Sequence, residues 1–196
     1  MKSDTLYQLL RPLAFLDVKG PTLNMYRYHI PFGIVFVQFI IFILSDISLK
    51  VVGDRSLADY MSSFFVSLPG FYIAALSAIV AFNGGDLDKE MSDVSATLMS
   101  NGDVSRQEIS MRIFLCYLFC YLTIISFAGF FICLAGNLFI VDCNHSTLTQ
   151  KIFCDPTLRC ILSFSYSAVI VFLAASIVSC TVQSLYFLSE RVNQSM

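Results

Sequence analysis

Charge is what this sequence has least of. Only 13% of its 196 residues are Asp, Glu, Lys or Arg, against roughly 25% in an ordinary soluble domain. The formal charge of −2 leaves no basic field to draw in nucleic acid, so direct nucleic-acid binding is not expected. Catalytic signatures are equally scarce. There is no His-Glu-x-x-His, no Gly-x-Ser-x-Gly and no glycine-rich loop ahead of a lysine. His29 and His145 fall at opposite membrane faces on the topology argued below, so they cannot share a site. No catalytic, cofactor-binding or metal-binding residue is expected, and the chain is not expected to be an enzyme. What is plentiful is apolar: 57% hydrophobic residues with 19 Phe, the reverse of a disordered composition. An integral membrane protein remains.

Four stretches of spanning length carry no charged residue: Tyr28–Ser45, Tyr60–Gly85, Ile113–Val141 and Cys160–Ser189. Crossing a hydrocarbon layer of ~30 Å takes about 20 mostly apolar residues in a helix. Barrel strands would be shorter and would alternate. The expected fold is therefore an all-α integral membrane protein of four transmembrane helices, over 28–49, 60–82, 113–141 and 160–189. The last two exceed the required length and should tilt or project. Pro69 inside the second should kink it by removing a ladder bond.

Basic residues set the orientation. Lys2, Arg11, Lys19, Arg27, Lys89, Arg106, Arg112 and Arg191 lie on one side, and Lys50, Arg55, Lys151 and Arg159 on the other. The larger group belongs in the cytoplasm, which places both termini of a multi-pass membrane protein there. Residues 142–159 form a periplasmic loop and 190–196 a cytoplasmic tail. Met1–Lys19 lacks the apolar core and small-residue site of a removable signal peptide. Cys143, Cys154 and Cys160 gather in or beside the periplasmic loop, where Cys143 and Cys154 could close a disulfide or remain thiols.

Two regions stand outside the bilayer with structure of their own. In residues 1–27, Leu6, Leu9, Leu10, Leu13 and Leu16 recur at helical spacing, as in an amphipathic segment on the cytoplasmic face. Residues 83–112 open on Asn83-Gly84-Gly85 and continue through Asp86, Asp88, Lys89 and Glu90. Alternate carboxylates suit a cation loop, but the terminal bidentate Glu of a calcium loop is missing. A solvated acidic face is the better reading. Ser105-Arg106-Gln107-Glu108 has the form of a capping box. On that reading the third helix starts near Arg106, extends into the cytoplasm, and carries Arg106 and Arg112 on an exposed stalk. Asp86, Asp88, Lys89, Glu90, Arg106 and Arg112 are the candidate partner-binding residues.

Small residues mark helix packing. Span two carries Ser63, Ser67, Gly70, Ala74, Ser77 and Ala81. Span three carries Ser126, Gly129, Cys133 and Gly136, and span four Ser176, Cys180 and Ser184. Such stripes let backbones approach closely, either within one four-helix unit or between subunits of a homo-oligomer. Ser67, Gly70, Ala74, Gly129, Cys133 and Gly136 are the leading candidates.

The whole-chain layout resembles the membrane subunit of the Kiwa anti-phage defence system. Leu68–Asn83, Asp86–Met91, Ser105–Glu108 and the region of Tyr117 and Tyr121 carry the likeness. The resemblance implies a bacterial inner-membrane sensor that assembles as a homo-oligomer, a tetramer, with a cytoplasmic DNA-binding effector subunit. The expected function is thus a non-enzymatic sensor or scaffold, with the lipid bilayer, copies of itself and that effector as partners. The alternative is a small oligomeric channel or pore, lined by the hydroxyl-rich fourth span.

Overall fold

The computed structural model describes residues 11–20, 23–44, 51, 56–81, 87–88, 90–100, 103–143 and 156–193. Four helices in it are long and apolar enough to cross a membrane. The first span is Met25–Leu44, in which a π-helical turn leads into α1 (Ile30–Leu44), and the others lie in α2 (Leu57–Ala81), α3 (Met111–Cys143) and α4 (Pro156–Asn193). At 1.5 Å per residue α3 and α4 are ~50 and ~57 Å long, well beyond the hydrocarbon thickness. Ser56 starts α2 ahead of Tyr60: the Asp59 N–H donates to Ser56 Oγ at 3.3 Å, an N-cap. Pro156 opens α4, where its missing N–H costs nothing.

Neighbouring helices run antiparallel. Phe65 of α2 meets Gly129 of α3, and the Tyr72 and Phe119 rings lie 5.9 Å apart. Tyr166 of α4 reaches the Ile132 carbonyl of α3, and Phe187 packs on Phe114. Helix α1 lies along α4 through Phe32–Phe172 and Phe39–Phe164, with Gln38 Nε2 donating to Ser167 Oγ at 3.0 Å. The start of α1, the end of α2, the start of α3 and the end of α4 therefore share one end of the bundle.

Helix α3 is the centre of this arrangement. Phe114, Leu115, Leu118 and Leu122 on it are fully buried. The core continues past the apolar spans into the extramembrane end, where Met91, Val94 and Ile109 join Phe15, Val18 and Leu23. Leu6, Leu9 and Leu10 of the expected amphipathic segment lie outside the described residues. Its described part is a 3-10 helix, Arg11–Asp17. This helix sends Phe15 into the bundle against Phe114 and Tyr121.

One expectation is corrected here. Third-helix residues 106–110 are not helical: β1 (Glu90–Ser100) and β2 (Asp103–Ser110) form an antiparallel hairpin, and α3 begins at Met111. The capping box is dissolved by hairpin pairing. Ser105 sits opposite Leu98 and Glu108 opposite Ser95, so ladder bonds take the backbone groups that a cap would have satisfied. A register irregularity between Glu90 and Ser95 bends β1 at its base.

Candidate functional site

Arg112 braces the junction between hairpin and bundle. Its Nε donates to Asp88 Oδ1 at 2.7 Å and its Nη2 to Asp88 Oδ2 at 3.1 Å. The third arm of the fork, Nη1, donates to the Ile79 carbonyl at 3.0 Å. That carbonyl belongs to the last turn of α2 and has no helical partner, and a cation there also suits the helix dipole. The Arg112 backbone N–H donates to the Leu87 carbonyl at 2.9 Å. One residue therefore ties the end of α2, the turn before β1 and the first turn of α3. Side-chain exposures of 20% for Arg112 and 60% for Asp88 mean water screens the pair, as it does other surface ion pairs. Its importance is positional.

This geometry revises the candidate partner-binding set. Arg112 is not on an exposed stalk; it is half-buried and fully engaged. Asp88 is exposed at the turn, but its carboxylate is committed to Arg112. Glu90 opens β1 and Arg106 lies in β2 opposite Thr97, while their side chains lie outside the described residues. Asp86 and Lys89 lie outside them altogether. The structure thus brings together Asp88 and Arg112 of the six.

A second brace, on Arg27, joins the N-terminal segment to the bundle. A π-helical turn, Met25–His29, precedes α1 and closes with the Ile30 N–H on the Met25 carbonyl. Arg27, on this turn, is only 3% exposed. Its guanidinium donates to the carbonyls of Leu16 at 2.8 Å, of Phe15 and of Val18, and lies 4.5 Å from the Phe15 ring centroid. Beyond it, Lys19 and Ser95 exchange backbone hydrogen bonds at 2.9 and 3.1 Å, so the N-terminal segment is stitched to β1. In the sequence Arg27 is one more basic residue of the cytoplasmic set. Nothing local marks it as buried.

The small-residue candidates separate into two groups. On α3, a Cβ at Gly129 would come 2.9 Å from the Phe65 ring, and one at Gly136 would come 2.1 Å from Tyr166 Oη. Cys133 is fully buried. These three pack helices within one chain. Ser63, Ser67, Gly70, Ala74, Ser77 and Ala81 are all exposed on the outer face of α2, and a Cβ at Gly70 would meet nothing within 4 Å. At Gly70, then, no described residue of this chain packs on that face.

Of the proposed disulfide, Cys143 ends α3 with its side chain outside the described residues, and Cys154 lies outside them entirely. Cys160 is an exposed free thiol. Among the described residues no three His, Cys, Asp or Glu side chains converge as metal ligands would. No protein-family model, curated protein or solved structure matches the chain.

Proposed function

We propose that this chain is a non-enzymatic sensor and scaffold of a bacterial antiviral defence complex in the inner membrane, with both termini cytoplasmic. It detects membrane disturbance during phage infection and recruits or activates a cytoplasmic DNA-binding effector subunit. The observation that carries the reading is the Arg112 brace. A tilt of α2 against α3 displaces the Ile79 carbonyl relative to Arg112, and the Asp88 turn and hairpin must follow. The hairpin is then a lever with two positions, whose populations the membrane biases. The basic-residue asymmetry and the resemblance to the Kiwa membrane subunit support the same reading. Homo-oligomerisation, up to a tetramer, would use the outward small-residue face of α2, which is exposed among the described residues.

A pore is the second reading, and one observation favours it. Gln183 is 1% exposed, yet neither its amide nitrogen nor its oxygen has a partner among the described residues. Buried polar groups call for water or a second donor. Against this, neighbouring hydroxyls are already satisfied on their own helix: Ser179 donates to the Ala175 carbonyl, Thr181 to Ile177 and Ser184 to Thr181.

Co-purification of the soluble effector subunit separates the readings. Charge reversal at Asp86 and Glu90, with Asp88 retained to spare the Arg112 brace, should lower recovery at low salt. Reconstituted alone in planar bilayers, the wild type should carry no steady current. Unchanged recovery together with steady conductance would replace the scaffold by the pore.

A further inference from the structure

A cavity of about 510 Å³ opens where the N-terminal segment, the start of the first span and the hairpin meet. Its lining includes Lys19, Asn24, Arg27, Tyr28 and Ser95. Among the described residues it therefore has two cations and no carboxylate. Asp17 is exposed nearby in sequence and is not part of the lining.

The Arg27 charge is unusual in its surroundings. Backbone carbonyls accept three of its donations, but Nε has no acceptor and no carboxylate among the described residues bonds the guanidinium. Burying a charge is costly unless it is paired. Carbonyl dipoles offset part of that cost, and an anion beside Lys19 and Arg27 would offset more.

The second observation is apolar. Tyr28 lines the cavity and is also the upper part of an exposed row, Met25, Tyr28, Phe32 and Phe36, at steps of three and four along the first span. A cationic pocket at the rim of a span, continuous with an aromatic stripe running into the apolar zone, has the shape of an anionic amphiphile. We infer that this cavity binds the phosphate headgroup of an anionic phospholipid, with its acyl chains lying along Phe32 and Phe36. A free phosphate shares the headgroup chemistry but would have no use for the stripe. Basic pockets at this depth are the usual seat of acidic lipids. The site does not depend on the scaffold reading, since a lipid can seat here whether or not a protein partner docks. It does place the occupant against Ser95 of β1, whose backbone is fixed to Lys19.

The test uses the full-length protein, purified in mild detergent and stripped of lipid. It is offered phosphatidylglycerol, phosphatidylcholine with the same acyl chains, or inorganic phosphate, and bound species are counted by native mass spectrometry. Phosphatidylglycerol should be retained in preference to phosphatidylcholine. Lys19→Glu keeps the backbone pairing with Ser95 and reverses one exposed charge. It should weaken phosphatidylglycerol binding by about 25-fold, two charge units at roughly fivefold each. Lys19→Arg should restore it, and Arg191→Glu, the same charge change away from the lining, should leave it intact. Equal retention of both lipids, indifference to Lys19→Glu, or equal loss in Arg191→Glu would overturn the site. Saturable binding of phosphate with no lipid preference would also overturn it, as that is a free-anion pocket.

Discussion

Gly136→Ala tests whether the α3–α4 contact is as close as the structure has it. In an isolated helix this change stabilises by about 1 kcal/mol, through lower backbone entropy in the unfolded chain. Here the new methyl would stand 2.1 Å from Tyr166 Oη and 2.4 Å from Cζ. The ring must move, and with it the hydrogen bond from Tyr166 Oη to the Ile132 carbonyl at 3.0 Å. Overpacking costs about 1–3 kcal/mol, and an interhelical hydrogen bond in a membrane protein contributes about 0.6 kcal/mol. Net destabilisation should be about 0.6–2.6 kcal/mol once the propensity gain is subtracted. The decisive measurement is the same substitution in a Tyr166→Leu background. Leucine fills the groove without reaching the clashing ring atoms, so Gly136→Ala should there be neutral or stabilising by up to about 1 kcal/mol. Unfolding in mild detergent, followed by circular dichroism over a titration of denaturing detergent, gives the four free energies of the cycle. An equal loss in both backgrounds would refute the contact.

Gly70→Leu should leave the isolated chain folded and stabilise it by up to about 1 kcal/mol, because its Cβ points into open space and glycine is a poor helix former; the yield of crosslinked oligomer in mild detergent should fall if α2 is the subunit face. Gly129→Leu should instead unfold the chain itself by driving into Phe65, so it reports on folding and not on assembly. Reporter fusions after Met196 and within residues 147–151 should read cytoplasmic and periplasmic respectively, and a periplasmic carboxy terminus would reverse the orientation.

The spans were legible because uncharged length is a property of composition, and the bilayer demands it of each helix separately. The hairpin was not, because two local signals compete in residues 83–112. Ser105 and Glu108 satisfy a capping box on their own. Asn101-Gly102, a pair that favours tight hairpin turns, lies between Ser100 and Asp103, which are paired in the ladder. That pair, flanked by Val94, Ala96 and Leu98 on one side and Val104 on the other, was the signal to weigh. The stripes show a different limit. Spacing tells which small residues share a face, but Gly129 and Gly70 look alike in sequence, and only a neighbour's side chain distinguishes inside from outside. Arg27 shows a third limit: its burial depends on carbonyls 9 to 12 residues away, placed at the end of a 3-10 helix that sequence does not announce.

The pairing of α1 with α4 has a consequence in time. Chains emerge from the ribosome at roughly 5–20 residues per second, and Gln38 finds its partner Ser167 across 129 positions. During synthesis the first helix therefore waits on the order of ten seconds in the membrane before the helix it lies against exists. Its outer residues suit that interval, since Phe36, Ile40 and Ile43 are exposed in the finished bundle as well and are at home in lipid. Gln38 does not: until α4 inserts, its amide must find water, a headgroup or the insertion machinery. Completion of the bundle is thus triggered by the last helix made, and a chain truncated before Ser167 leaves the first helix without its hydrogen bond.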